Sequence, residues 1–474
     1  MSRRRDVRTA KLEESIWRDL PELEFRQHLV ELEGKTNAVP IDPQIFDITH
    51  HHGRNEQPDT TTYTLPIEVE QRLADDLAFL AAVEEGAQSV AAVCIEEQVS
   101  PQSFIFRSAA LDTALNDTVK YALEDILCAL SALVEDPSKN KDEYIDLLFR
   151  KIITLHHHRL LARLRSSKWE KPKHLARSHK KPLWGDFANL IHRAQFLYTK
   201  KEKAARLRAE QRLQSLAQVY ADFEDETSDQ QQALMRLVRA SLEFCQTEEI
   251  RDYTRRLEIN SNNSTEASKP PTKQISSAMK CLRQIEKIAA YLRISISLVQ
   301  TASTYPQVFA SPLLAYITPY DSVPTTIGYE EWAKTCHVHA EVQLAVYYDL
   351  ETQSQHSTTE PATLLHPRTI GASKYLCYLC FRFLSAHAHF APSKTHGRLY
   401  DQWTVPDLAE YTPDTRRRYR EIVEAMDREV VGAAAAICSG HQQLWRVEPM
   451  TSRQDLRLYG AGDGEVDGIK EEVN

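Results

Sequence analysis

The most informative part of the chain reads Thr335-Cys336-His337-Val338-His339-Ala340-Glu341-Val342-Gln343-Leu344 and, further on, Cys377-Tyr378-Leu379-Cys380. The first string holds a His-x-Glu and the second a Cys-x-x-Cys, with Cys377 36 residues after Glu341. Eight cysteines in 474 residues would give roughly 0.1 Cys-x-x-Cys pairs by chance. The sequence has one such pair and one His-x-Glu. Helical spacing follows both groups, and a short strand pattern precedes the second.

The two groups together supply the ligands of a catalytic zinc site. One imidazole and two thiolates hold zinc and leave a fourth position open, so we predict His339, Cys377 and Cys380 as Zn²⁺ ligands. Cysteines three apart at a helix start lie on one face, where the helix dipole lowers the pKa of a thiol. A carboxylate beside such a site moves protons, which is the role predicted for Glu341. The pattern indicates a hydrolytic zinc deaminase with a zinc-bound water as nucleophile and Glu341 as proton shuttle.

A closed structural zinc site is the alternative interpretation. Cys336-x-x-His339 and Cys377-x-x-Cys380 together also supply the ligands of a four-ligand site, in which Cys336 fills the open position. The protein would then be a non-catalytic, zinc-stabilised interaction protein or a degenerate deaminase.

Several further residues near these groups are candidates for substrate contact or for ordinary packing. Histidines there could reach a substrate, aromatic rings in the loop after the cysteines could stack on a base, and two polar residues before the cysteines could form a rim. These residues are His366, His387, His389 and His396, then Phe390, Tyr400 and Trp403, then Ser373 and Lys374.

Composition restricts the class of protein. Apolar residues make up 42% and charged residues 26% of the chain, and no apolar run approaches the roughly 20 residues that cross a bilayer, so we expect no membrane association. The cysteines are scattered except at the predicted site, and no secretory signal precedes them, which predicts an intracellular, cytoplasmic or nuclear protein.

The charge is unevenly distributed along the chain. Residues 150–212 contain 18 Lys and Arg against four acids, a net charge of +14 in a chain whose total is −9. Trp169 and Trp184 lie among these charges. Basic residues interleaved with aromatic residues suit single-stranded nucleic acid, so we expect a possible nucleic-acid contact there; a plain solvated surface is the alternative.

The spacing of apolar residues predicts the positions of the helices and strands. Helical spacing covers 73–83, 119–133, 144–165, 190–220, 229–245, 275–301, 338–350, 377–388 and 414–436, and apolar runs at 89–95 and 103–106 predict a β-hairpin. Prolines predict an irregular N-terminal arm over 1–65, a polar composition predicts a linker over 259–273, and 451–474 reads as an acidic tail.

The quoted strings, with Gly371-Ala372-Ser373-Lys374-Tyr375-Leu376 before the cysteines, resemble the cytidine deaminase-like zinc deaminase superfamily. They look most like its fungal branch, which is related to bacterial toxin-type nucleic-acid deaminases. Many members have Pro where Leu376 stands, and Pro at a helix start is not chemically required.

The resemblance implies a three-layer α/β/α domain with a mixed sheet of about five strands. This domain would be discontinuous, over 66–110 and 328–450, and interrupted by an all-helical insertion at 111–327. It further implies a substrate with an amino-bearing nucleobase, cytosine or adenine, in nucleic acid or nucleotide. The sequence leaves open which base it is, and also the oligomeric state.

Overall fold

A computed structural model describes residues 4–49, 63–84, 89–99, 102–111, 116–136, 138, 140–170, 181–266, 273–331, 333–355 and 364–438. Over these residues the chain divides into two compact units. The first contains residues 4–151 and 296–438, and the second contains residues 152–295. The expected acidic tail, 451–474, lies outside the described residues.

The protein is a mixed α/β protein with more helix than strand. Its helices are α1 (Glu22–Thr36), α2 (Ile67–Ala81), α3 (Asp117–Glu135), α4 (Lys141–Leu155), α5 (His157–Leu164), α6 (Phe187–Leu197), α7 (Lys203–Asp225), α8 (Gln230–Gln246), α9 (Glu248–Glu266), α10 (Lys273–Thr304), α11 (Pro306–Ala310), α12 (Ala340–Gln355), α13 (Tyr378–His387) and α14 (Pro413–Cys438). Its strands are β1 (Gln44–Ile45), β2 (Ala91–Val99), β3 (Gln102–Ala110), β4 (Pro312–Tyr316), β5 (Val323–Pro324), β6 (Thr335–Cys336), β7 (Leu364–Leu365), β8 (Gly371–Ala372) and β9 (Lys394–Thr395).

A five-stranded mixed sheet forms the centre of the first unit within the described residues. β2 and β3 form the predicted hairpin, antiparallel and with Ile95 opposite Phe106. β4 pairs parallel with β3, while β7 and β8 both pair antiparallel with β2 on its other edge. The apolar run in β2 is buried almost throughout, which is the pattern of a strand covered on both faces.

Helices cover this sheet and supply most of the core. α12 packs against β2 and β3, and α2 packs against β2 and β8. Ala92 and Cys94 of β2 belong to one apolar cluster with Val342 and Val346 of α12. The sheet thereby fixes the start of α12, where His339 and Glu341 lie.

The N-terminal segment is more ordered than the prolines predict. The described part, 4–49, contains the 15-residue helix α1, which packs against α14 and buries Phe25, Leu29 and Leu32 in the main core. These three residues have the i, i+4, i+7 spacing of a helix face, and Pro21 sits at the N-cap of α1. The proline therefore marks a boundary of the helix and does not disrupt it.

The segment predicted as an all-helical insertion also departs from expectation. Within 111–327, β4 joins the sheet, and residues 111–151 and 296–327 belong to the first unit. Helix α9 continues to Glu266, so the expected linker, 259–273, is helical over 259–266. Propagation of a helix adds one backbone hydrogen bond per residue, which can outweigh the weak propensity of Asn and Ser.

The second unit is helical, and α7 packs against α6, α8 and α9. The periodicity over 190–220 predicts one helix, but the structure has two, α6 and α7. A capping box at Thr199 and Glu202 begins a new helical segment, because the Glu202 carboxylate satisfies the backbone N–H of Thr199 at 2.9 Å. The pattern over 144–165 likewise divides into α4 and α5.

No helix in the described ranges combines the length and the apolar character needed to cross a bilayer.

Candidate metal centre

His339 directly precedes α12 and acts as its N-cap residue. Its carbonyl accepts the first helical hydrogen bond, from the Gln343 N–H at 2.9 Å. The Gln343 side chain, fully buried, donates from Nε2 to the carbonyls of Ala110 at 2.8 Å and Val338 at 2.9 Å. Gln343 thus ties the start of α12 to the end of β3. The sequence signal for this role is a polar side chain between the apolar residues Val342 and Leu344.

Cys377 is the N-cap residue of α13, as the predicted start of that helix requires. Its Sγ accepts the N–H of Cys380 at 3.3 Å, a capping bond across the first turn. Asp75 of α2 bonds to β8, the strand that precedes this helix, and to Lys394 of β9. Its carboxylate accepts a hydrogen bond from the Ala372 N–H at 3.0 Å and from Lys394 Nζ at 2.6 Å. The cysteines are therefore held by α2 as well as by their own helix.

The structure brings the three predicted ligands together. The Nδ1 of His339 lies 3.6 Å from Sγ of Cys377 and 3.3 Å from Sγ of Cys380, and all three atoms lie within 4.8 Å of one another. Tetrahedral zinc with Zn–S of about 2.3 Å and Zn–N of about 2.0–2.1 Å places its S and N ligands about 3.6 Å apart. The donor set and its spacing therefore fit a zinc ion.

Both helices that carry the ligands point their N-termini at this group. The positive end of a helix dipole favours anions, including thiolates. Burial opposes ionisation of Cys377, but hydrogen bonding with Cys380 and the charge of His339 outweigh it and hold the pKa of Cys377 well below its usual range. At least one thiol is thus prepared to act as an anionic ligand.

Glu341 lies beside the ligands without being one of the three. Its side chain is 3% exposed, and its Oε2 lies 3.5 Å from Sγ of Cys380. Burial raises the pKa of this carboxyl above its ordinary value. A carboxyl with a raised pKa holds a proton more readily than an exposed carboxyl does, which favours the role of a general acid–base group.

Cys336 does not join the group, contrary to the closed-site alternative. It lies in β6, where its Sγ donates to the Asp401 carbonyl at 3.9 Å, and burial raises its pKa to about 11. Among the described residues, the group of possible ligand atoms within 4.8 Å of one another contains His339, Cys377 and Cys380 and does not include Cys336.

Most of the other candidates serve packing. His387 lies 3.0 Å from the Asp349 carboxylate in the core, and Phe390 packs on its ring. His389 packs against His387, and His366 packs against His389 and Tyr348. Trp403 is 1% exposed, which excludes it as an open stacking platform.

The two rim candidates before the cysteines have different surroundings. Ser373 is 1% exposed and extends the pairing of β8 with β2, since its N–H donates to the Ala91 carbonyl at 2.9 Å and its Oγ accepts the Ala91 N–H at 3.1 Å. Lys374 is half-buried, and its charge acts on His396.

His396 and Tyr400 are the candidates that lie near the ligands. Charges on Cys377 act on both residues, and the two rings meet edge to face with centroids 5.9 Å apart. Burial lowers the pKa of His396 to about 4, so the ring is neutral at pH 7.

Comparison with known proteins gives one match. The family model described as OTT_1508_deam:-like deaminase matches residues 338–407, a range that contains His339, Glu341, Cys377 and Cys380. No curated protein and no solved structure matches the chain. The match and the His-Cys-Cys cluster together support a deaminase-like function.

Proposed function

We propose that the protein is a zinc-dependent hydrolytic deaminase of an amino-bearing nucleobase, cytosine or adenine. The observation that carries the proposal is the juxtaposition of one imidazole nitrogen and two thiol sulfurs, at zinc-ligand spacing, with the buried Glu341 carboxyl. The match over 338–407 supports the same reaction class.

His339, Cys377 and Cys380 are the residues that would hold the ion. When bound, zinc supplies Lewis-acid activation of a water at neutral pH. Two thiolates balance its charge, and both are buried at the N-terminus of α13, which keeps their sulfurs in place.

Glu341 moves protons in the proposed reaction. It takes a proton from the attacking water and gives it to the ring nitrogen next to the amine-bearing carbon. It then takes the proton of the hydroxyl group that has been added to this carbon and gives it to the departing amine. Water adds to the ring, the C–N bond breaks, and the products are a ring carbonyl and ammonia.

The proposed domain is a three-layer α/β/α deaminase domain of the fungal branch related to bacterial toxin-type deaminases. The packing of α2 on β2 and β8 and of α12 on β2 and β3 supports this arrangement. The second unit, 152–295, is the proposed insertion. We also propose an intracellular location, cytoplasmic or nuclear, because Cys94, Cys128, Cys245, Cys281, Cys336, Cys377 and Cys380 all have free thiols.

Single-stranded nucleic acid is the proposed partner of the basic block, 150–212. Some of its charges are used internally, as in the ion pair of Arg165 with Asp186 at 2.5 Å. Lys200, Lys201 and Lys203, in contrast, are exposed. In the preceding helix Phe196 is 64% exposed, with the Arg193 guanidinium 4.5 Å from its ring centre. An open ring beside cations suits base stacking and phosphate contact.

Salt dependence tests this partner. Binding of a single-stranded oligonucleotide is expected to weaken steeply between 50 and 200 mM salt, by about tenfold or more for several phosphate contacts. Fluorescence anisotropy of a labelled oligonucleotide measures the slope, and Phe196→Ala should reduce affinity. Affinity that does not change with salt would reject the proposal.

Ammonia release and product mass test the proposed reaction. Wild-type protein and Glu341→Gln are assayed side by side against cytosine and adenine as bases, nucleosides, nucleotides and oligonucleotides. We expect the wild type to release ammonia from one base, with a mass change of about +1 Da in the product. Glu341→Gln should keep its zinc and lose at least about 100-fold in rate. A wild type inactive on the whole panel would contradict the proposal.

A further inference from the structure

His396 occupies a segment that runs directly beside the zinc-ligand helix. Its N–H donates to the Leu376 carbonyl at 3.1 Å, and the Tyr378 N–H donates to the Arg398 carbonyl at 2.8 Å. These two bonds enclose Cys377 on one segment and Gly397, the neighbour of His396, on the other. The His396 side chain is 3% exposed, so it belongs to the interior of this region.

The backbone fixes the tautomer of His396. Its Nδ1 lies 3.0 Å from the backbone nitrogen of Arg398, whose N–H can act only as a donor. Nδ1 is therefore the acceptor and carries no proton, so the single proton of the neutral ring is on Nε2. The ring stays neutral because it is buried and because the charges of Lys374 and Arg398 oppose protonation, against the opposite effect of Cys377.

The resulting Nε2–H is a donor that the described residues do not use. Beyond the bond that Nδ1 accepts, the His396 side chain makes no hydrogen bond within the described part of the chain. Nε2 is also not among the buried polar atoms that lack a partner, so it reaches accessible space, where a ligand atom can accept its hydrogen bond.

An aromatic ring packs against His396, and a guanidinium packs on that ring. The Tyr400 ring meets His396 edge to face, and the Arg398 guanidinium lies 5.2 Å from the centre of the Tyr400 ring. The backbone N–H of His396 bonds to Leu376, the residue before Cys377, which places His396 beside the metal ligands.

We propose that the Nε2–H of His396 donates a hydrogen bond to an acceptor of the bound nucleobase, a ring nitrogen or a ring carbonyl oxygen, and so helps to orient it. This inference rests on the proposed deaminase function and adds a substrate-contacting residue to it. An apolar ring, or a base whose acceptor is replaced by C–H, would leave the donor unpaired and bind less well.

Two substitutions at His396 separate its two nitrogens. In His396→Asn, the side-chain oxygen can take the place of Nδ1 as acceptor for the Arg398 N–H, but the donor at the ε position is lost. In His396→Gln, an amide N–H can take the place of Nε2–H, but the acceptor at the δ position is lost. The His396→Asn variant therefore tests whether the donor contacts the substrate. The His396→Gln variant tests whether a replacement donor restores binding.

The experiment measures binding, so that it does not depend on turnover. Zinc-loaded Glu341→Gln protein is titrated with cytidine, adenosine and short single-stranded oligonucleotides that carry one C or one A. Adding His396→Asn should weaken binding of the preferred base by about tenfold, the effect of one lost hydrogen bond to a buried group. Adding His396→Gln should bring affinity back to within about threefold of the parent. Thermal unfolding of each variant shows that the protein still folds.

The outcomes distinguish this inference from the proposed reaction. If wild type releases ammonia but His396→Asn binds as tightly as its parent, the role of His396 is wrong and the deaminase proposal stands. If the parent binds no base and the wild type releases no ammonia, both are wrong. Weaker base binding in His396→Asn, together with restored binding in His396→Gln, supports the contact between His396 and the base.

Discussion

The metal centre is assembled from residues at the ends of helices. His339 caps α12 and Cys377 caps α13, so each is held by a backbone hydrogen bond as well as by packing. A residue at an N-cap has a fixed backbone and faces the positive end of the helix dipole. That position explains why two short motifs suffice to define the ligands, although they lie far apart in sequence.

Zinc content separates the two cysteine roles. We expect Cys377→Ser to lose most of its zinc, because one of three protein ligands is replaced by a hydroxyl that binds zinc weakly. Cys336→Ser, a matched change at an equally buried cysteine, should keep about one zinc per chain and its activity. Elemental analysis of the purified proteins measures both. Zinc lost from Cys336→Ser would restore the closed four-ligand interpretation.

At the level of single residues, the sequence predicts the metal ligands but not the side chains that lie around them. His339, Glu341, Cys377 and Cys380 follow from spacing alone, because each motif lies within one turn of a helix. His396 could not be separated from His387 or His389 in the same way. Its role depends on the backbone pairing of 394–398 with 376–378, which joins residues that no local pattern relates.

The elements around the site are held by a close approach of β8 to α2. A Cβ at Gly371 would lie 2.1 Å from the carbonyl carbon of Ala74 and 2.3 Å from the Asp75 nitrogen. Only glycine allows this contact, because both opposing atoms belong to the helix backbone. β8 leads directly into Cys377, so its position governs that of the ligands.

Replacing Gly371 tests this contact. Gly371→Ala should lower the free energy of unfolding by about 2 kcal/mol or more, because β8 or α2 must move. The control is Gly432→Ala in α14, where a Cβ would meet nothing within 4 Å. There alanine should stabilise by about 0.5–1 kcal/mol through helix propensity. Urea denaturation measures both, and a Gly371→Ala protein as stable as wild type would contradict the packing.

Helix α1 contains a carboxyl that should be neutral in the folded protein. Burial raises the pKa of Glu33 to about 8, assisted by the charges of Asp401 and Glu330 and opposed by Arg398. In the unfolded chain this carboxyl ionises near its ordinary value of 4.5. Between these two values the unfolded chain loses the proton and the folded protein keeps it, so rising pH favours unfolding.

Glu33→Gln should therefore become more stable relative to wild type as pH rises. From pH 5 to pH 7 the difference in unfolding free energy should grow by about 2 kcal/mol, at about 1.4 kcal/mol per pKa unit. Denaturation at each pH measures it. The exposed Glu24→Gln, on the same helix, is the control and should show a nearly constant difference from wild type. A constant difference for Glu33→Gln would show that Glu33 is ionised in the folded state.

At the scale of elements, periodicity predicts where helices occur better than where they break. The apolar repeat over 190–220 continues through the junction of α6 and α7, since the repeat reports burial and not the path of the backbone. The break is set by the hydrogen bonds of Thr199 and Glu202. Short strands such as β7 and β8 carry little pattern because two residues cannot show alternation.

The whole chain consists of two units of different character. The first combines the sheet, α12, α13 and the metal centre, and the second is a set of packed helices with the basic block. Periodicity shows that α3 has an apolar face but not which neighbour covers it. In the structure α3 packs against α11 and β4, so it belongs to the first unit and the predicted boundary at 111 is displaced.

Zinc removal should affect one unit selectively. Without the ion, the ligands at the starts of α12 and α13 lose their shared contact, and the two helix starts become easier to open. We expect chelation to raise amide hydrogen exchange near 339–344 and 377–382 by about tenfold or more, with exchange in α7 and α8 unchanged. Mass-spectrometric exchange before and after chelation measures this. Uniform exchange changes across both units would contradict a localised role for the metal.

The central claim is that two sulfurs and one nitrogen of the protein hold a zinc ion with one position left for water. Zinc-edge X-ray absorption of the purified protein tests it directly. The expected spectrum has two sulfurs at about 2.3 Å and two nitrogen or oxygen atoms at about 2.0–2.1 Å. Three or four sulfurs around the ion, or a folded protein that retains no zinc, would contradict it.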